Sequence, residues 1–451
     1  MAGQVYRSTF VSTLVCGLWA LSACSGGGDT DASKDAAASD VDVSNNEPLD
    51  ATDLIDTVDN GPSKPAPLYA EATWTGDWAP AKVLKLKQEP VRRGLLDLRG
   101  LIHAHSPYSH DACDGEPFGK DGKTLNMPCW EDFRRDFCTV GHDFVFLTDH
   151  PTHFAENEFP DVLLYDKSRG DELISFDGKP HANRISCSGR KAVIMAGAET
   201  GASMPVGLPG HIADTVKARK KLYDTQDKAT FEQLKKHGAV VLYAHTEART
   251  IEELVDLPVD GFEMYNLHAN MVAKMSDAVQ LAAKLIDDTK KQPAADLVIL
   301  PLMHEDKEYL SRWGTVFASG AKRVTTMGTD CHRNTLPLKL VDGERVDSYR
   351  RMMIWFSNHL LVKPEKDGSW DSRHLKTALK GGRLYGTFDF IGYADGFDFV
   401  ALQDGETFEM GDEVSVAKGA TLHVRIPTLA RVGAANAKLL SKKARLLRAI
   451  K

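Results

Sequence analysis

The sequence predicts an α/β fold, a seven-stranded (β/α) barrel followed by a small β appendage. Three observations predict it. Strand-like apolar runs alternate with helical patterns, as parallel βα units require. Seven of these runs end in polar or metal-binding residues, and βα barrels carry their active sites at such strand ends. After Tyr385 the pattern changes to short alternating segments separated by glycine turns.

The first run, Leu95 to Ile102, closes on His103-Ala104-His105. Histidines at i and i+2 of a strand point to one face and can grip one metal ion. Asp143 to Thr148 leads to Asp149-His150, Ala192 to Ala198 leads to Glu199, and Ala239 to Ala244 leads to His245. Gly261 to Tyr265 is a fifth strand, and Leu297 to Met303, followed by His304, is a sixth. Val324 to Thr329 ends in Asp330-Cys331-His332. Helices are expected at Trp130 to Val140, Lys228 to His237, Ala269 to Lys290, Asp347 to Leu361 and Ser372 to Lys380. The polar segment 152–190 reads as a lid-like insertion or as a solvated excursion. Phe397 to Leu402 and Thr421 to Ile426 alternate and form the appendage, 385–428.

The N-terminus stands apart from the fold. Phe10 to Leu21 is apolar but too short to span a bilayer. Leu21-Ser22-Ala23-Cys24 looks like a bacterial lipoprotein box, with Cys24 lipidated; an ordinary secretory signal is the alternative. This gives a signal peptide at 1–24, an acidic tether at 25–66 and a lead-in segment at 67–94 before a catalytic unit at 95–384. The chain is then an exported, membrane-anchored lipoprotein of a bacterial envelope, facing periplasm or exterior. Of the net charge of −8, nearly all the acidity lies in the tether. The folded part carries no basic field to attract nucleic acid. The tail, 429–451, is basic and leucine-containing, a membrane-surface helix or one docked on its own protein.

Seven cysteines are present. Export makes disulfides plausible, and Cys113 with Cys129, then Cys138 with Cys187, are the pairs expected. Cys331, between two candidate ligands, reads as a small buried filler.

Imidazole and carboxylate together suit Zn, Mn or Fe(II). A bridging carboxylate lets two cations sit about 3.5–4 Å apart, which makes hydroxide available at neutral pH. Asp149 and Asn266 are placed to orient imidazoles. Asp330 is the candidate to handle the proton of the attacking water. Arg249, His304 and Arg333 could contact a small anionic substrate.

His103-x-His105 with Ser109 and Asp111, Thr148-Asp149-His150, Gly197-x-Glu199, Ala244-His245, Gly261-Phe262-Glu263-x-Tyr265-Asn266 and Gly328-Thr329-Asp330-x-His332 resemble the successive motifs of the PHP (polymerase and histidinol phosphatase) superfamily. The resemblance spans about residues 95–335, and Leu375 to Gly386 with the β segment after it resembles its carbaryl-hydrolase-like branch. It implies a distorted, TIM-like seven-stranded barrel holding two or three Zn, Mn or Fe ions. It also implies the ligand sets. His103, His105, Glu199 and Asp330 would hold one ion. Glu199 would bridge to a second, with His245 and His211. Asp111, with His110 as competitor, would join His150 and His332 on a third. The activity implied is a phosphoesterase; an amidase or carbamate esterase with the same metals, or a surface lipoprotein with a structural metal site, is the alternative.

Overall fold

A computed structural model describes residues 92–430, apart from 188, 202, 268–269, 271–275, 277–279, 281–294, 304–306, 335 and 341. The signal, the tether, most of the lead-in, the basic tail and most of the expected helix Ala269 to Lys290 lie outside the described residues.

Eleven strands form one sheet: β1 (Leu96–Ala104), β2 (Phe144–Leu147), β3 (Glu172–Phe176), β4 (Lys179–Cys187), β5 (Arg190–Gly197), β6 (Ser203–Leu208), β7 (Val240–Tyr243), β8 (Gly261–Asn266), β9 (Val324–Cys331), β10 (Ser357–Val362) and β11 (Leu384–Thr387). The helices are α1 (Met127–Val140), α2 (Pro151–Phe154), α3 (Val216–Asp224), α4 (Lys228–Lys236), α5 (Ile251–Asp256), α6 (Lys307–Ala318), α7 (Tyr349–Met353) and α8 (Ser372–Lys380).

Seven strands close a barrel in the order β1, β2, β5, β6, β7, β8, β9 and back to β1. All neighbours are parallel except around β6, which is antiparallel to β5 and β7. The barrel is closed at one end and splayed at the other. Residues Leu96–Gly100 of β1 pair with β10, and only from Ile102 does β1 meet β9. In the same way β5 pairs first with β4 and only at Ala196 with β6. The closed end is the C-terminal end of the parallel strands, where the candidate ligands lie.

Six of the seven expected strands are in the ring. The other, Leu297 to Met303, is not a strand: Ala295–Leu297 and Leu300–Leu302 are short 3-10 turns. Its apolar residues are buried in the outer core, so the run answers to burial rather than to pleat. The seventh place belongs to β6, whose Pro205 and Gly207 break the usual strand pattern. Asp347 to Leu361 is also divided. It is helical only as α7, then turns into β10 along β1. Within 152–190, β3 and β4 form a hairpin along the outer wall of β5. Arg184 donates to the Trp370 carbonyl at 2.9 Å, and Arg373 lies 4.1 Å over the Phe176 ring, so the hairpin also leans on the α8 end of the molecule.

Alternating side chains serve two cores. Phe144, Phe146, Val193, Met195, Met204, Val206, Val240 and Leu242 belong to an inner cluster shared by strands around the ring, with Leu375, Ala378 and Leu379 of α8. Their neighbours Val145, Leu147, Ile194, Val241 and Tyr243 pack outward with the helices. The period-2 strand pattern is thus visible as inside and outside. Helix α8 plugs the splayed end; its N-cap Asp371 forms a capping box with His374.

Helix α1 begins at Asn126, whose side chain accepts from the Cys129 N–H, and stops at Gly141 with φ 74°. Beyond β11, β12 (Tyr393–Asp395) pairs with β16 (Thr428–Ala430), and β14 (Glu406–Phe408), β13 (Asp398–Gln403) and β15 (Thr421–Arg425) form a three-stranded antiparallel sheet. Arg93 ties this sheet to the start of the described chain through a bidentate pair with Asp398, at 2.8 and 2.9 Å.

Candidate metal centre

At the closed end of the barrel four histidines surround two carboxylates. Glu199 Oε2 lies 3.0 Å from His103 Nε2 and 3.1 Å from His105 Nε2, while its other oxygen, Oε1, lies 2.9 Å from His245 Nε2. Asp330 Oδ1 lies 3.3 Å from His103 Nε2, 3.1 Å from His105 Nε2 and 3.8 Å from His332 Nε2; its Oδ2 lies 3.8 Å from His245 Nε2. Each carboxylate therefore turns one oxygen to each of two sets of imidazoles.

Strand parity explains part of this set. Glu199 continues the inward series Val193, Met195, Gly197, and Asp330 continues Val324, Thr326, Gly328. His103 and His245 fall on outward parity. They reach the site because their backbones are left-handed, at φ 79° and φ 49°, and Asp330 joins them at φ 56°. At His103 the register of β1 shifts between Ile102 and Ala104 against both β2 and β9. Against β2, His103 is the extra residue of a bulge, and a bulge re-aims a side chain; against β9 the extra residue lies on β9. The simple i, i+2 argument for His103 and His105 is thus corrected: they share a target, but through a bulge and not through an unbroken strand. Three non-glycine residues in this sparsely populated region mark a site whose geometry is imposed by its surroundings.

A second limb comes from the loop after β1. His150 Nε2 lies 3.4 Å from Asp111 Oδ2, and Asp111 Oδ1 accepts from the Ser109 hydroxyl at 2.6 Å. Ser109 Oγ also accepts from the His150 N–H at 3.0 Å and faces His105 Nδ1 at 3.1 Å. One hydroxyl so uses its donor and both lone pairs. It is Asp111, not His110, that turns into the cluster. The His110 side chain is exposed and packs its ring against that of His150 at 4.7 Å.

The donor set fits a divalent ion. With His105 Nδ1–H given to Ser109, His105 presents the lone pair of Nε2. That atom is fully buried and makes no hydrogen bond, yet lies 3.1 Å from both carboxylates. Likewise His150 Nδ1 donates to the Glu199 carbonyl at 3.0 Å and leaves Nε2 facing Asp111. His103, His105, Glu199 and Asp330 offer four ligand atoms within 4.8 Å of one another, and His105, Asp111 and His150 offer three. Burial would lower the imidazoles of His103 and His105, but the carboxylates around them hold both well above the ordinary range. Burial would raise the carboxyls of Glu199 and Asp330, yet the imidazoles hold both well below theirs. Carboxylates buried this deeply need positive charge beside them, which protonated imidazoles supply here and a bound cation would supply in their place.

Glu263, named in the sequence only as part of the Gly261–Asn266 motif and given no role there, stands directly behind the cluster. It is fully buried, its Oε1 lies 2.6 Å from His103 Nδ1, and its Oε2 accepts from the His245 N–H at 3.2 Å and from Asn266 at 2.7 Å. Such an outer carboxylate fixes the tautomer and direction of a ligand imidazole. A Cβ on Gly328 would lie 1.8 Å from Glu263 Oε1, so glycine is what lets Glu263 stand there. The signal was present: Glu263 sits two residues after Gly261 on the inward parity of β8. Asn266 and Asp149 act one step further out than expected. Asn266 holds Glu263. Asp149 accepts from the Ser106 N–H at 2.5 Å and hydroxyl at 2.7 Å, and burial pushes its carboxyl up to about 6.

Eight of the nine expected metal ligands are brought together: His103, His105, Asp111, His150, Glu199, His245, Asp330 and His332. His211 is not. Its Nδ1 meets the Tyr223 hydroxyl at 2.9 Å and its Nε2 the Asn157 carbonyl at 2.8 Å, between the rings of Phe154 and Phe159. Both ring nitrogens are engaged in packing α3 on α2. Arg333 is also placed otherwise than expected. It pairs with Asp132 at 2.6 Å and Asp114 at 3.5 Å, bridging loop and helix. Arg249 reaches Glu253 at 3.3 Å and lies 5.0 Å over the Tyr243 ring. His304 and Cys24 lie outside the described residues. Cys331 is buried and free, packed in the outer core as a filler. Both expected disulfides are formed, Cys113–Cys129 and Cys138–Cys187.

No protein-family model and no curated protein matches the sequence. Among solved structures the chain is similar to a two-domain protein containing a predicted PHP-like metal-dependent phosphoesterase from Bacteroides vulgatus ATCC 8482. That similarity is 13% in identity, with a TM-score of 0.32, over 77% of this chain and 91% of the other. The metal reading of the site stands on its own geometry.

Proposed function

We propose that this chain is a metal-dependent hydrolase acting at a phosphoester, with two or three divalent ions, Zn, Mn or Fe, in the cluster. The observation that carries the reading is Glu199, which turns Oε2 to His103 and His105 and Oε1 to His245. A carboxylate so divided is built to bridge two cations. His103, His105, Glu199 and Asp330 would hold one ion, His245 with the far oxygens of Glu199 and Asp330 a second, and Asp111, His150 and His332 a third. Bound ions of this kind lower the pKa of water toward neutrality and stabilise charge on a phosphoryl oxygen. Asp330 is the residue we assign to the proton of the attacking water, and Glu263 holds His103 in its tautomer.

The test is a panel of phosphomonoesters, phosphodiesters, aryl esters and carbamates, offered to the Mn- or Zn-loaded protein. Phosphoester turnover that disappears in His103→Ala supports the reading. Turnover of carbamates or esters alone would move it to the alternative chemistry suggested by the carbaryl-hydrolase-like segment. Bound metal with no turnover of any class would leave a structural site.

The envelope setting is part of the same proposal: signal peptide and lipid anchor at Cys24, tether to residue 66, lead-in to 94, hydrolase at 95–384, appendage at 385–428, a small anionic substrate and no nucleic acid. Two disulfides support export, since they persist in oxidising compartments. Labelling with a radioactive fatty acid, lost in Cys24→Ser, tests the anchor.

A further inference from the structure

The loop that carries Asp111 has an unusual backbone. Cys113 and Asp114 follow it at φ 59° and φ 63°, two consecutive non-glycine residues in the left-handed region. Such a turn persists only where its surroundings over-determine it. Three sets of contacts do so. The Cys113 and Asp114 N–H groups donate to the carbonyls of His332 and Arg333, at 3.3 and 3.2 Å, which joins the loop to the end of β9. Arg345 holds Asp114 in a bidentate pair at 2.6 and 2.8 Å. The disulfide Cys113–Cys129 then ties the same turn to the first residues of α1, with both cysteines buried. Arg333 repeats that link, pairing with Asp114 of the loop and Asp132 of the helix.

Asp111 itself has little else to fix it. It lies two residues before Cys113, accepts from Ser109 and faces His150 at 3.4 Å. Its backbone carbonyl is held by Asn334. The other carboxylates of the cluster, Glu199 and Asp330, stand at the ends of barrel strands.

We propose that the Cys113–Cys129 disulfide is a positioning element of the metal cluster: it holds Asp111 facing His150, where the third ion would be bound. Cys138–Cys187, which joins α1 to the end of β4 in the outer wall, serves the fold alone. The inference rests on the metal reading above.

The experiment compares Cys113→Ser/Cys129→Ser with Cys138→Ser/Cys187→Ser in the full chain. Zn and Mn are each titrated by calorimetry, with bound metal counted by elemental analysis and folding followed by circular dichroism. In the first variant the Asp111 ion is expected to weaken at least tenfold while the tightest ion stays bound. In the second, Tm is expected to fall with metal content unchanged. A folded first variant with wild-type occupancy and affinity would overturn the proposal, as would equal metal loss in both. If the first variant does not fold, the folded wild type is treated with a phosphine, which with one water turns the disulfide into two thiols and leaves as its oxide. Thiols are then blocked and mapped, and the same comparison is made on chains opened only at Cys113–Cys129; unchanged affinity there is again fatal. A wild-type chain that binds no divalent ion would overturn the metal reading itself, a result distinct from either variant outcome.

Discussion

The two limbs of the cluster are built differently. The inner limb, His103, His105, Glu199 and Asp330, stands at the ends of β1, β5 and β9, inside a closed ring of strands. The outer limb, Asp111 and His150, hangs on a loop and on the residue that opens the short helix α2. His105 belongs to both. The inner limb inherits its rigidity from the barrel, with Glu263 behind it. The outer limb depends on one hydroxyl, one disulfide and a strained turn. Sites on strands hold their geometry better than sites on loops, so the inner limb should bind more tightly and survive perturbation better.

The largest effect that would break this contrast is removal of Glu199, whose oxygens face both sets of imidazoles. Glu199→Ala should abolish tight binding of the two ions it would bridge, seen as loss of metal after gel filtration. Retention of a full complement would mean that Glu199 bridges nothing. Asp111→Ala should cost only the outer ion and leave the inner one at wild-type affinity by calorimetric titration; loss of both would erase the distinction between the limbs. Glu263→Gln keeps the shape beside His103 but removes the charge. It should weaken the inner ion about 10- to 100-fold with the outer limb less affected. The smallest effect belongs to His211→Ala. Metal content should not change, while Tm falls through lost hydrogen bonds to Tyr223 and Asn157. A lost ion there would restore His211 as a ligand.

What was legible in the sequence follows the same divide. Inward parity at a strand end makes Glu199 and Asp330 readable, and six of the seven barrel strands fall in strand-like runs of the sequence. The seventh was hidden because β6 carries Pro205 and Gly207, while the more apolar Leu297 to Met303 folds into turns. Periodicity does not separate a buried strand from another buried apolar segment. The bulge at His103 and the left-handed His245 leave no mark in residue type, so their path to the site shows only in three dimensions. Glu263 was visible but undervalued, because the carboxylate that orients a ligand is spaced no differently from one that pairs with a base. His211 was a ligand by the resemblance alone, whereas aromatic packing and two hydrogen bonds claim it. Arg333 and Asp132 are 201 positions apart, a separation no local pattern can bridge.

The central claim is that these imidazoles and carboxylates form a metal centre anchored on the end of β1. It is tested most directly by elemental analysis of the purified chain beside His103→Ala/His105→Ala, with circular dichroism as the check on folding. The account predicts two or three divalent ions in the wild type and, in the folded variant, loss of the inner ion. Unchanged metal content in the variant would contradict it.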